Sequence, residues 1–498
     1  MNNEHDDYNE GLQQKLNTRH LTFISLGSVI GTGIFLGIGS ALTTAGPVGL
    51  VLAFAVICSA VYCVMLCTGE MVTYLPVVGA HMRLSVVAVL VTYWNDSIPS
   101  GVWIALSLLV SLGVNMCGPR LYAEVEFCMS IIKVLTIVGL IILSIVIDAG
   151  GGPNGEYIGF RYWKHPGPFV QYEGVKGPLG RFLGFFSGLT TAAFSSIGAE
   201  MLALVAAETR NPRKTVPTAL RATWIRVVLF YFLGAFCFSI IVPSNDPRLG
   251  PSSTAPASPY VIAIQTAGIK VLPSLINACI LTSALSAGVS DLFTSVRTLH
   301  AMAGNGTAPK IFSSTTSWGC PWIAVLASWA LSLLAFLPVG SSSGNIFNFL
   351  LRLTALSGII TWECIAITYL RFRAGMKAQG MPHSSLPWRN RFSIFGAYWI
   401  LIVIISVLLF SGWPVFRKGN WDTVTFVGNY LPLAIFTIIF IAFKVGTKSK
   451  FVKASEMDLT SGVDEIERRA AKADEEEERE KALNKSNGLE GFFKRIVA

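Results

Sequence analysis

Two apolar stretches carry residues able to do chemistry inside a membrane. One reads Gly27-Ser28-Val29-Ile30-Gly31-Thr32-Gly33-Ile34-Phe35, the other Phe194-Ser195-Ser196-Ile197-Gly198-Ala199-Glu200. Gly31, Gly33 and Gly198 let each helix leave helical geometry cheaply. A helix broken in lipid frees N–H and C=O groups that must find partners, so the break has to line a cavity. A half-helix starting near Ile34 presents free amides and the positive end of its dipole, which suits a carboxylate, and the Thr32 hydroxyl adds a donor. Carbonyls freed near Val29 suit an ammonium, and Ser195, Ile197 and Gly198 repeat the pattern. Amide donors on one side and carbonyl acceptors on the other fit the zwitterionic part of an amino acid. The same glycines also serve close helix crossings, and spacing alone leaves both uses open.

A third candidate is Lys133, in Ile131-Ile132-Lys133-Val134-Leu135. A lysine within an apolar span is costly unless it is paired, neutral or near water. Desolvation lowers its proton affinity, which allows proton exchange. The alternative is a lysine snorkelling at the end of its span. Glu200, just past the second break, is either a gating or proton-sensing carboxylate or a structural cap on unwound backbone.

The elements that hold these residues are membrane spans. The chain is 52% apolar and only 13% charged, half the charge of a soluble domain. Apolar runs fall at 21–42, 49–68, 102–117, 129–147, 182–205, 224–242, 271–291, 322–339, 346–370, 395–411 and 424–445. A further run, Leu84 to Trp94, is too short to cross unaided. The net charge of +9 sits in short loops between apolar runs, as the positive-inside rule expects, so no nucleic-acid partner is read from it. With the basic loops in the cytosol, both termini are cytosolic, provided the chain crosses between 77 and 94. Three parts result: a tail over 1–20, a transmembrane region over 21–446 with breaks near 27–35 and 194–200, and a soluble tail over 447–498, exposed or disordered in its charged part. The nine cysteines are scattered, and neither a metal cluster nor a HExxH or GxSxG motif is present, so an enzyme is not expected.

Several motifs together resemble the fungal amino acid permeases of the amino acid–polyamine–organocation superfamily. They are Leu16-Asn17-Thr18-Arg19-His20 leading into Gly31-Thr32-Gly33, Cys67-Thr68-Gly69-Glu70-Met71, Glu208-Thr209-Arg210-Asn211-Pro212-Arg213-Lys214, Ser286-Ala287-Gly288-Val289-Ser290-Asp291-Leu292, Ala308-Pro309-Lys310, Tyr369-Leu370-Arg371-Phe372-Arg373 and Met457-Asp458-Leu459. The resemblance implies an all-α polytopic fold with two inverted five-helix repeats, each opening on one of the broken helices. It implies carboxylate binding by the amides of Thr32 and Gly33, and ammonium binding by carbonyls near Val29, Ser195 and Ile197. Phe194 then stands where relatives carry an aromatic lid, and Lys133 stands for a coupling cation against the first broken helix. The implied activity is proton-coupled amino acid uptake at the plasma membrane, without a cofactor, with the lipid bilayer as surroundings. The tails are expected to meet trafficking or ubiquitination machinery.

The chain departs from the family at its third helix. Relatives carry roughly thirty more residues between Ala80 and Ser85, more than one membrane crossing. Arg83 stands where many relatives have an acid, Ala199 replaces a common Thr, and Leu285 replaces a common Trp. The alternatives to a working permease are a non-transporting amino acid sensor of the same fold or, because the third helix is incomplete, a transport-impaired variant or the product of mis-splicing.

Overall fold

The computed structural model describes residues 31, 33–74, 99–198, 212–249, 258–304, 306–337 and 343–461, with short pieces of the tail up to 479. Among them, all regular structure is helical. The π-helical turn Gly33–Gly37 runs into α1, Ile38–Tyr74. The longer helices that follow are α2 (Ser100–Met116), α3 (Pro119–Asp148), α4 (Gly177–Ser196), α5 (Pro212–Ile241), α6 (Pro259–Thr266), α7 (Leu272–Gly304), α8 (Trp322–Ser332), α9 (Ser343–Ala378), α10 (Ser393–Phe410) and α11 (Thr423–Gly446). Proline at the first turn starts α3, α4 and α6, where its missing N–H has no intrahelical partner to lose. Asp422 starts α11 by accepting from the amides of Val424 and Thr425. Hydrogen bonds from Thr425 hold its carboxyl below the usual range.

Seven of the described helices, α1, α3, α5, α7, α9, α10 and α11, are long and apolar enough to cross a membrane, while α2 and α8 are shorter apolar helices. This differs from a count of eleven similar spans in two instructive ways. First, α1 holds two of them. Gly46, at φ 79° and ψ 171°, breaks it where the sequence placed a loop at 43–48. A Cβ there would meet the Phe169 backbone at 2.7 Å. Second, the helix in the span placed at 182–205 begins earlier, at Gly177, and ends at Ser196, inside the break read at 194–200, because Ile197 is extended and Gly198 takes φ 113°; residues 199–205 lie outside the described set.

The chain reverses at Gly46. Residues 33–45 lie antiparallel to α4: close approach brings Gly33 to Ser195, Gly37 to Thr191, and Gly184 to the Thr44 carbonyl. Beyond the turn, Phe54 packs on Tyr231, whose hydroxyl reaches the Ser195 carbonyl. The second half of α1 has thus returned to the level of the break.

The described bundle has two distinct ends. Glu70, late in α1, bonds to Tyr369 near the end of α9 and to Ser393 at the start of α10. At the opposite end Ile104 of α2 clusters with Ala335, just before the chain enters α9. The last described residues before the gap and the first after it, near 74 and 99, therefore stand at opposite ends. The segment itself, 77–94, with His81 and Arg83, lies outside the described residues.

The C-terminal tail follows α11. Its first part is docked against the bundle. Leu459 is buried with Met376 and Leu386, Gln379 donates to the carbonyls of Ala454 and Met457, and Arg371 bonds to the Val452 carbonyl. Further on, Glu467 pairs with Arg213 and Asp474 with Lys214. Apolar residues at 457, 459 and 463, spread among charges, were enough to seat the segment on the end of α9.

Candidate functional site

The two breaks meet. A Cβ on Gly33 would lie 2.3 Å from Ser195 Cα, and one on Gly37 would lie 3.2 Å from the Thr191 methyl. Glycine is required at 33 because two backbones touch there, which is the packing use of glycine that the sequence left open. The first break is a bend at Gly31 followed by a π turn, a geometry that leaves carbonyls without their usual partners. The second is the end of α4, whose last four carbonyls lack intrahelical donors.

Two carbonyls beside the breaks are already engaged. The Phe35 carbonyl accepts from Ser258 Oγ at 2.6 Å, and the Ser195 carbonyl accepts from the Tyr231 hydroxyl at 2.7 Å. Ser195 was expected to offer an open acceptor to an ammonium. It offers instead the second lone pair of an oxygen already bonded once. The hydroxyls of Ser195 and Ser196 turn back onto their own helix, to the Thr191 and Ala192 carbonyls. Phe194 is 4% exposed and belongs to the apolar core. Ile197 is buried, its side chain filling the space left by Gly358 of α9. Val29, Thr32, Ala199 and Glu200 lie outside the described residues; of the candidates that are described, Gly33 meets Ser195, with Gly31 beside the one and Phe194, Ile197 and Gly198 beside the other in the chain.

Lys133 is fully buried and does not snorkel. Its ammonium donates to Glu126 Oε1 at 3.2 Å, and Glu126 is also fully buried. Ser286 of α7 donates to the other oxygen at 2.6 Å, and Ser130 approaches the first at 3.5 Å. Tyr122, Glu126, Ser130 and Lys133 fall on one face of α3, at spacings of four, four and three. That face packs on α7, where Tyr122 stacks on Phe293 at 3.8 Å and bonds to Ser290. The contact implied between Lys133 and the first broken helix near Val29 involves residues outside the described set.

Glu126 was missed because apolarity placed the start of this span at 129, whereas α3 begins at Pro119. An acid seven residues before an intramembrane lysine, on the same face, was the available signal. Tyr231 and Ser258 carried none, since hydroxyl residues in apolar helices are common. A second buried carboxylate also emerges. Glu70 is fully buried, with Oε1 accepting from the Asn390 amide and Ser393 Oγ, both at 2.7 Å. Its Oε2 accepts from the Tyr369 hydroxyl at 2.7 Å and meets His383 Nε2 at 3.3 Å.

With this geometry in place, the likeness to known proteins can be weighed. The amino acid permease family model matches residues 20–85 and 77–456. The dicarboxylic amino acid permease of Saccharomyces cerevisiae is 35% identical over 99% of this chain and 87% of its own length. The proline-specific permease of Emericella nidulans is 37% identical over 91% and 89%, and the basic amino-acid permease of S. cerevisiae 33% identical over 92% and 85%. Among solved structures, Mhp1, a nucleobase-cation-symport-1 family transporter with bromovinylhydantoin bound, covers 94% of this chain and 100% of its own at 12% identity. Its TM-score is 0.45, too low to bear on the fold.

Proposed function

The chain belongs to the amino acid permease family, and on that premise we propose that it moves amino acids across the plasma membrane by alternating access, driven by protons. One observation carries the reading. The two Gly-broken segments, far apart in sequence, lie antiparallel with their breaks in contact at Gly33 and Ser195. Unwound backbone from two directions then surrounds one place in an apolar bundle, an arrangement suited to a zwitterion. The buried Lys133–Glu126 pair supports proton coupling, because it places two exchangeable groups in the bundle interior. Relatives of near-equal identity are named for acidic, basic and proline substrates, so identity does not select the side-chain class. The cytosolic placement of both termini rests on the basic loops, and trafficking or ubiquitination machinery would meet the tails there.

The test is uptake of radiolabelled amino acids by the purified chain in proteoliposomes. An inward proton gradient should drive accumulation that a protonophore collapses. Uptake indifferent to the gradient would remove the proton from the mechanism. Amino acid binding without accumulation would identify a sensor.

A transport-impaired chain is a second reading with its own support. The alignment to the dicarboxylic permease spans 528 positions, 30 more than this whole chain possesses, so at least that many positions face no residue here. The family match is also split into two stretches that overlap at 77–85, where the sequence departs from its relatives. Inserting a family-like third helix between Ala80 and Ser85 should raise uptake at matched surface expression. Equal uptake by both forms would show the shorter chain is competent.

A further inference from the structure

Beside the Glu70 cluster lies a cavity of about 360 Å³ whose wall includes Arg373, Lys377, Met381, His383, Ile394 and Tyr398. Its charge is one-sided. Arg373 and Lys377 stand one turn apart on α9, His383 follows on the turn after it, and among the described residues no acid lines the space. Glu70 does not neutralise Arg373 by a hydrogen bond. Both Glu70 oxygens are already taken by Asn390, Ser393, Tyr369 and His383, and Arg373 Nη1 stays 3.9 Å away. That nitrogen is buried and makes no hydrogen bond among the described residues. Arg373, held by Glu70 only at 3.9 Å, and Lys377 one turn away both line the same cavity, and a guanidinium beside an ammonium suits a phosphate group.

The second wall is greasy and points outward. Ile394 and Tyr398 of α10 are 41% and 56% exposed, and the same helix continues with exposed Ile402, Ile405 and Leu409. Because α10 is a spanning helix, this stripe faces acyl chains, and the basic cavity opens where the stripe ends. Tyr398 has the amphipathic character of residues at the membrane–water boundary. The surrounding end of the bundle carries Arg371, Arg389 and Arg391, so it sits at the more anionic leaflet under the loop-charge reading of sidedness, on which this placement rests.

We propose that this cavity binds the phosphate-bearing headgroup of an anionic phospholipid, with Arg373 and Lys377 holding the phosphate and the α10 stripe holding an acyl chain. A lipid seated there touches α9, the following turn and α10 together, which are the elements that Glu70 joins to α1.

The test uses the full chain purified in a neutral detergent, with phosphatidylserine, phosphatidylinositol 4-phosphate or phosphatidylcholine added. Retained lipid is read by native mass spectrometry, and stability by thermal unfolding. Anionic lipid should be retained and raise Tm, whereas phosphatidylcholine should do neither. Arg373→Gln combined with Lys377→Gln should cut retention by about tenfold or more. Lys377→Gln alone, at an exposed position that leaves the Glu70 cluster intact, should weaken retention without lowering Tm in the absence of lipid. Arg389→Gln with Arg391→Gln removes the same charge outside the cavity and should leave retention unchanged. Equal retention by wild type and the Arg373/Lys377 variant, or equal retention of anionic and zwitterionic lipid, overturns the proposal. A Tm rise with inorganic phosphate alone, without lipid retention, overturns the lipid and leaves a soluble phosphate as the ligand. None of these readouts depends on transport, so they stand apart from the uptake assay.

Discussion

Glu70 and Glu126 are both fully buried carboxylates, yet they are built into opposite kinds of site. Glu70 stands at one end of the bundle and takes hydrogen bonds from a helix, a connecting loop and the start of another helix, through Tyr369, Asn390 and Ser393, with His383 alongside. Neutral donors saturate it, and its cations stand at the margin. Glu126 lies inside the bundle, and its charge is met by a lysine on its own helix and a serine from α7. The first joins elements and has little left to exchange. The second holds a charge pair that a single proton could rearrange. Burial alone therefore does not mark a functional acid; the identity of its partners does.

The largest effect is expected from Glu70→Ala. It strands the Asn390 amide and three side chains in a buried setting, for a loss of about 3–5 kcal/mol. Thermal unfolding in detergent should show a fall of many degrees together with poor surface expression. An unchanged Tm would mean that the cluster is no joint.

Lys133→Ala should destabilise on a similar scale by leaving the buried Glu126 without its cation. Adding Glu126→Gln removes that charge and should recover most of the Tm, whereas proton-driven accumulation should stay absent. Recovery of both would make the pair purely structural, and the contrast with Glu70 would vanish.

The smallest effect separates the two sites by how many partners each holds. Ser286→Ala removes the hydroxyl that meets Glu126 Oε2, at about 1.5–3 kcal/mol for a bond to a charged group. Ser393→Ala leaves the Asn390 amide on the same Glu70 oxygen and should cost about 0.5–1.5 kcal/mol. Unfolding of the two variants side by side checks the order. A reversed order would mean that the donors at Glu70 are not redundant.

Much of the fold was legible because lipid imposes a simple code. Apolar length located most of the spans, and glycines marked both places where helices break. Helix ends were less legible. Apolarity reports the hydrocarbon core, and α1 and α3 extend beyond it, to Tyr74 and back to Pro119, held by packing. Glu70 and Glu126 both lie in those extensions, which is why a motif containing Glu70 was noticed without its role. The docking of the tail around Leu459 was not legible for a related reason. Three apolar residues among many charges look soluble until a complementary face is present.

The sequence by itself determined that this chain is a helical membrane protein, that two helices break, and that Lys133 lies within an apolar span. It did so because apolar run length and backbone freedom are local properties. Only the tertiary structure decided that Gly33 is reserved for Ser195, that Tyr231 and Ser258 bond to carbonyls beside the breaks, and that Lys133 answers to Glu126 while Glu70 answers to the end of α9. Those are pairings across the bundle. Their energies depend on which buried donor meets which acceptor, and no local pattern encodes that choice.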